Sequence, residues 1–308
     1  MMKTLVPLIL LIGAVILSGC TTSGGGTTAT GNGIVIEDFS FDYTPIYSGD
    51  QIGLNIELQN IGGEIGTLEK VTVFGQDFTT SANALKWSIS NTGELTQTLT
   101  SPEGDLYPPD PTTGFEGDIW TYQWLITAPN DVKAPTDYEF QVRSEYSYTS
   151  EYSGTIRIVS ANYLRTLSAT DRENLIKEGG VVSSAVTAGP LNLAAASGRH
   201  FIIQSGAGAT TSSVKFKVTN IGSGYPYNAD LSDPASLYLV RITGTDGLSC
   251  TKTDFLLARG KTGTFSCDIA IPAESSITNK LDQNFRITLS YDYFVDSAAS
   301  ITVQPTFT

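Results

Sequence analysis

Between Gln51 and Asn60 apolar and polar side chains alternate strictly, Ile52, Leu54, Ile56 and Leu58 against Gly53, Asn55, Glu57 and Gln59. A period of two with one polar face predicts a half-buried antiparallel strand, and Asn60-Ile61-Gly62-Gly63 supplies the turn that ends it. The same reading predicts strands over 34–41, kinked near Asp38, and over 67–74, 85–90, 120–127, 138–148 and 155–159. The segment 138–148 is the clearest of these. Tyr138, Phe140, Val142, Ser144, Tyr146 and Tyr148 share one face, and Glu139, Gln141, Arg143, Glu145 and Ser147 the other. Short strands separated by Gly, Pro and Asn clusters, with no helix signal among them, predict an all-β sandwich over 34–160.

The second half repeats the first. Phe216 to Gly222 matches Ile56 to Gly62 at an offset of 160, and Thr264 to Cys267 follows Thr121 to Trp124 at 143. Phe285, Ile287, Leu289, Tyr291 and Tyr293 match Phe140, Val142, Ser144, Tyr146 and Tyr148 at 145. Ile301 and Val303 keep that last offset from Ile156 and Ile158, which predicts a closing hairpin in each copy. Matches in the same order imply a duplicated unit, so a second sandwich is expected over 190–308. The fall in offset assigns the first copy an insertion of about seventeen residues, placed at 102–118, a surface loop rich in proline and glycine. Between the copies, 161–189 is a connector. Thr170 and Glu173 have the spacing of a helix capping box and Gly179-Gly180 of a stop, against the alternative of an irregular loop.

The N-terminus has a different texture. Lys3, an apolar run from Leu5 to Leu17 and a small-residue exit have the layout of a secretory signal, and the run is shorter than the roughly 20 residues a spanning helix needs. Leu17-Ser18-Gly19-Cys20 resembles the lipobox of secreted lipoproteins. That resemblance implies removal of residues 1–19 and a lipidated Cys20 as the new first residue; the alternative is a retained N-terminal anchor. Two acyl chains are what stable anchoring requires. Residues 20–33, rich in Gly, Thr and Ser, then read as a flexible tether. Outside the cell membrane, the two remaining cysteines, Cys250 and Cys267, are expected to form a disulfide, against the alternative of two buried thiols.

Charge and chemistry narrow the function further. A net charge of −13, with no basic run, argues against nucleic acid as a partner. His200 is the only histidine, so a multi-histidine metal site is excluded. The spacing Ser212-x-x-Lys215 falls in an alternating strand rather than at a helix start, and Asp110, Glu116 and Asp118 lack the regular ligand spacing of a calcium loop. No cofactor, metal or catalytic residue is expected. Trp120, Tyr122 and Trp124 share a strand face, read as sandwich core over a sugar-stacking platform because Ile126 continues it. Tyr107, in the proline-rich loop, is the candidate exposed contact.

The strand ending in Asn-x-Gly, together with the closing Tyr-x-Tyr, resembles the immunoglobulin-like modules of archaeal-type surface proteins, including the CARDB and S-layer-associated β-sandwiches. The resemblance covers both copies. It implies two tandem Ig-like antiparallel β-sandwiches joined by a short, partly helical connector, in a non-enzymatic protein; the lipobox resemblance adds the anchor, on the outer face of the cytoplasmic membrane through Cys20. The implied role is adhesion or envelope organisation, with another surface protein or a glycan as partner. The alternatives are a solute- or glycan-capturing lipoprotein and an extracellular filament subunit.

Overall fold

The computed structural model describes residues 31–83, 85–196 and 201–306. Cys20, with the signal segment, and His200 lie outside them. The first repeat consists of β1 (Ile34–Phe41), β2 (Ile46–Tyr47), β3 (Gln51–Asn60), β4 (Gly66–Phe74), β5 (Phe78–Thr79), β6 (Trp87–Ile89), β7 (Thr96–Thr98), β8 (Asp105–Leu106), β9 (Ile119–Thr127) and β10 (Thr136–Ser160). Helices α1 (Ala161–Thr166) and α2 (Ala169–Glu178) follow, and then β11 (Val181–Val186). The second repeat holds β12 (Leu191–Ala195), β13 (Ile202–Gln204), β14 (Thr210–Asn220), β15 (Tyr225–Tyr227), β16 (Leu239–Asp246), β17 (Ser249–Cys250), β18 (Asp254–Leu256), β19 (Thr262–Ile271) and β20 (Lys280–Gln304).

Among the described residues these strands make three sheets. Two outer sheets run β1-β3-β9-β6-β5 and β12-β14-β19-β17, and both pack on one face of a large central sheet whose path is β18-β16-β20-β10-β4-β7. The packing face is fixed by parity: Phe140 meets Phe41 and Trp87 of the first outer sheet, and Tyr152, an even number of residues further along β10, meets Phe216 of the second. Among the described residues the other face of the central sheet carries no second layer of strands. In each repeat the outer sheet has the A-B-E-D order of an immunoglobulin sandwich and the central sheet supplies C, F and G. The all-β, tandem Ig-like reading holds.

The closing strands depart from expectation. The segments 138–148 and 155–159 do not fold back as a hairpin. They form one 25-residue strand, β10, and their counterparts form one 25-residue strand, β20. β10 and β20 pair antiparallel from Thr136–Val303 to Val159–Lys280 without a register break, a spine roughly 80 Å long at about 3.3 Å per residue. The N-terminal half of β10 serves as F of its own repeat, and its C-terminal half as G of the other. β20 returns the exchange. The pair Ser147–Asp292 keeps the 145-residue offset, so a pseudo-twofold axis passes through it. A boundary at residue 160 therefore divides the sequence but not the cores, and the buried side chains form a single cluster through both repeats.

The connector also differs in detail. The cap of α2 is Ser168, whose hydroxyl accepts from the Asp171 amide and donates to the Asp171 carboxylate, two residues earlier than Thr170; Gly179 ends the helix at φ 79°. Helix α1 precedes it, capped by Ser160, and β11 pairs with β10 rather than lying in a loop. Within 102–118, β8 pairs with β4 and Leu106 is buried. As expected, β1 shifts register between Ile36 and Asp38.

The Asn-x-Gly turns and the tyrosines of the spine belong to one device, built twice. Asn60 is fully buried and donates to the carbonyls of Glu64 and Leu106 while accepting from the Gly62 amide. Asn220 does the same with Gly224, Gly260 and Gly222. Each Asn satisfies backbone groups that the turn would otherwise leave orphaned. Tyr148 then accepts from the amides of Gly63 and Glu64 and donates to the Ala188 carbonyl; burial pushes its phenol up to about 12. Its counterpart Tyr293 donates to Asn220 and accepts from Gly224. A side chain at Gly62 would overlap the Tyr148 hydroxyl, and one at Gly224 the Phe294 carbonyl, so close approach dictates both glycines. Cys250 and Cys267 pair across β17 and β19 and are joined as a disulfide.

A groove across the two repeats

A concavity built by both repeats lies on the open face of the central sheet, beside the pseudo-twofold axis. It is an open groove of about 910 Å³. Its floor comes from β4 and β10 and its walls from different repeats: Thr98 to Ser101 on one side, Ala229 to Ser232 on the other. Strand alternation sends Arg143, Glu145 and Ser147 to this face, and the ladder sets Asp296, Phe294 and Asp292 beside them. On β4 the register slips between the pairs Glu145–Lys70 and Tyr146–Leu68. Glu69 is the extra residue of that bulge, a device that re-aims a side chain.

The floor is crowded with carboxylates. Burial raises the Glu69 carboxyl above its ordinary value, and the negative charges of Asp292 and Glu145 raise it further; a hydrogen bond from Ser147 pulls the other way. Burial raises Asp292 too, helped by Glu145 and opposed by the Ala229 amide, which donates to it at 2.8 Å, and by Arg241. Tyr227 donates to Glu145 at 3.2 Å, and burial together with the surrounding carboxylates drives its phenol well above its usual range. Two cations stand among them. Lys70 lies 3.2 Å from Glu145. Arg143 is engaged by Asp296 through two hydrogen bonds of 2.7 Å and rests over the Phe294 ring at 4.3 Å.

None of these residues stands out in the sequence as a site. The one available signal was acidic residues at outward positions beside the centre of the best repeat match, Glu145 and Asp292. The residues singled out from sequence do not converge. Trp124 is buried and Trp120 and Tyr122 half-buried, packed against the core with rings stacked at 5.9 Å. Tyr107 is exposed and with Phe115 edges a shallow pocket of about 510 Å³ in the proline-rich loop. Lys215 is exposed on β14. Among the described residues no group of three or more His, Cys, Asp or Glu is arranged to hold a metal ion, Asp110, Glu116 and Asp118 included. Among the same residues no helix is long and apolar enough to cross a membrane.

No family model matches the chain, and no curated protein does. Among solved structures it is similar to red sea bream transglutaminase at 10% identity over 91% of this chain and 32% of that one, with a TM-score of 0.21. Similarity to Escherichia coli alpha-2-macroglobulin is at 10% identity over 89% of this chain and 33% of that one, TM-score 0.19. Similarity to the Enterococcus faecalis MSCRAMM ACE is at 7% identity over 89% and 96%, TM-score 0.16. The chain spans about a third of the first two. At these scores the likenesses carry no argument about function, and the Ig-like assignment rests on the strand order and register described above.

Proposed function

We propose that the chain is a non-enzymatic, lipid-anchored surface protein that attaches its cell to, or organises, another envelope component through its paired Ig-like repeats. The observation that carries this reading is the side of the central sheet on which Gly31 and Gly33 pack. Gly31 lies against Ile221 at the waist of the molecule, and Gly33 against Tyr148 and Pro190, on the side of the central sheet that holds the outer sheets. The groove is on the opposite side. The groove is thus clear of the segment that leads to Cys20, on a spine shared by both repeats and stiffened by a continuous ladder. A binding surface held rigid and unobstructed by the tether suits attachment.

A solute- or glycan-capturing role is the second reading, favoured by the stacked, half-buried Trp120 and Tyr122 and by the exposed Tyr107. Mass analysis of the mature N-terminus tests the anchor. A diacylglyceryl group on Cys20 is expected, with release of a Cys20→Ser form into the medium; an unmodified N-terminus on a cytosolic chain refutes the proposal. Surface cross-linking from the anchored protein is expected to capture a neighbouring envelope protein, and a glycan array separates the second reading.

A further inference from the structure

The charge balance of the groove names the class of its occupant. Glu69, Glu145 and Asp230 line the groove, and a fourth carboxylate, Asp292, lies behind its second-repeat wall, where the Ala229 amide donates to it. Arg143 is taken up by Asp296, and Arg241, which acts on Asp292, is itself held by Asp254 at 3.1 Å. That leaves Lys70, beside Glu145 and acting on Asp230, against four negative charges. Crowded, partly desolvated carboxylates repel one another, and an arriving cation relieves that repulsion. At about 910 Å³ the groove is near the upper end of the roughly 300–1,000 Å³ of ligand pockets, more than one side chain fills. The Thr98 and Thr100 hydroxyls on the wall offer hydrogen bonds to a polypeptide backbone, and those of Thr67 and Ser101, which donate to Asp105, can still accept. A second copy of this chain, with its net charge of −13, is a poor fit.

We propose that this groove binds an extended segment of a partner protein and seats a lysine or arginine side chain of that segment beside Glu69 and Glu145, with the Asp292 charge behind them. The assignment rests on the attachment role proposed above and names the chemistry of the partner. The two repeats build the site jointly, so it exists only while the strand exchange holds them in place. The cation is held by carboxylates whose protonation at low pH removes the attraction. Affinity therefore rises as pH rises through the carboxylate range.

The test uses the full chain in detergent micelles and fluorescence anisotropy with two labelled probes, a (Lys-Thr)4 peptide and a (Glu-Thr)4 peptide. The lysine probe binds saturably at one site and more tightly at pH 7 than at pH 4; the glutamate probe does not bind. Glu69→Gln with Asp292→Asn weakens the lysine probe by about tenfold, whereas Glu37→Gln with Asp131→Asn, exposed acids outside the groove, leaves it unchanged. Urea unfolding of both pairs, at wild-type midpoint or above, shows that the loss is not misfolding. No binding of the lysine probe, or equal weakening by both pairs, overturns the proposal. So does glycan binding that the groove pair abolishes, which assigns the groove to a sugar. A lipidated Cys20 and a cross-linked partner contacting other residues would leave the surface role standing while this site falls; a bound lysine probe on an unlipidated cytosolic chain would do the reverse.

Discussion

Removing one side chain from the second repeat should destabilise the first. Asn220 makes four hydrogen bonds in the Asn-x-Gly turn, to Gly224, Gly260, Gly222 and Tyr293, at 2.8 to 3.1 Å. At about 1 kcal/mol net for each, Asn220→Ala costs about 4 kcal/mol. All three tryptophans, Trp87, Trp120 and Trp124, are in the first repeat, so their fluorescence reports on that repeat alone. Were the repeats independent sandwiches, their urea transition would ignore a change at Asn220. Because β20 carries the G strand of the first sandwich and β10 that of the second, neither core survives loss of the other. With an m-value of about 3 kcal/mol per M, the tryptophan midpoint should fall by about 1.3 M, together with the far-UV circular dichroism. A tryptophan midpoint that stays in place while the dichroism develops an earlier, separate phase would refute the exchange.

Other consequences are open to measurement. Reducing the Cys250–Cys267 disulfide, or replacing both residues with Ala, should lower stability by about 3 kcal/mol, the loop-closure value for a separation of 17 residues; an unchanged urea midpoint would count against the bond's structural role. Arg157 is buried, with two hydrogen bonds to Asp282 and an ion pair to Glu178. Arg157→Met should cost about 1 kcal/mol at pH 7, a small figure because both acids keep access to water. Arg157 holds the Asp282 carboxyl below its ordinary value. That contribution is present above the unfolded pKa, near 3.8, and is lost as pH falls through the lower folded value. The gap between wild type and variant should therefore narrow below about pH 4, as acid titration of the two would show. Glu69 and Asp292 carry the opposite sign. Their raised carboxyls destabilise the charged fold at pH 7, so Glu69→Gln with Asp292→Asn should raise the midpoint there, and the gain should vanish at pH 4.

Much of this architecture was legible in the residues. β3 has the bounds its alternation predicts, since one face is buried and a one-residue slip would turn Ile52, Leu54, Ile56 and Leu58 to water. The duplication is equally plain: Ile56 faces Tyr122 and Phe216 faces Phe265 across matching strands. The sequence by itself thus determined strand identity, the repeat, the pairing of Cys250 with Cys267 and the absence of a helical core. It was silent on the groove, because Glu69, Glu145, Asp292 and Tyr227 come from four separate strands and look like ordinary solvent-facing positions until the sheet sets them side by side. It was equally silent on whether the closing strands turn back or run on. The two copies present equivalent faces, with Ile156 and Ile301 or Tyr148 and Tyr293 in matching places, so a hairpin and an exchanged strand bury the same side chains in the same alternation. Only the tertiary fold, by pairing β10 with β20 along their whole length, decided between them.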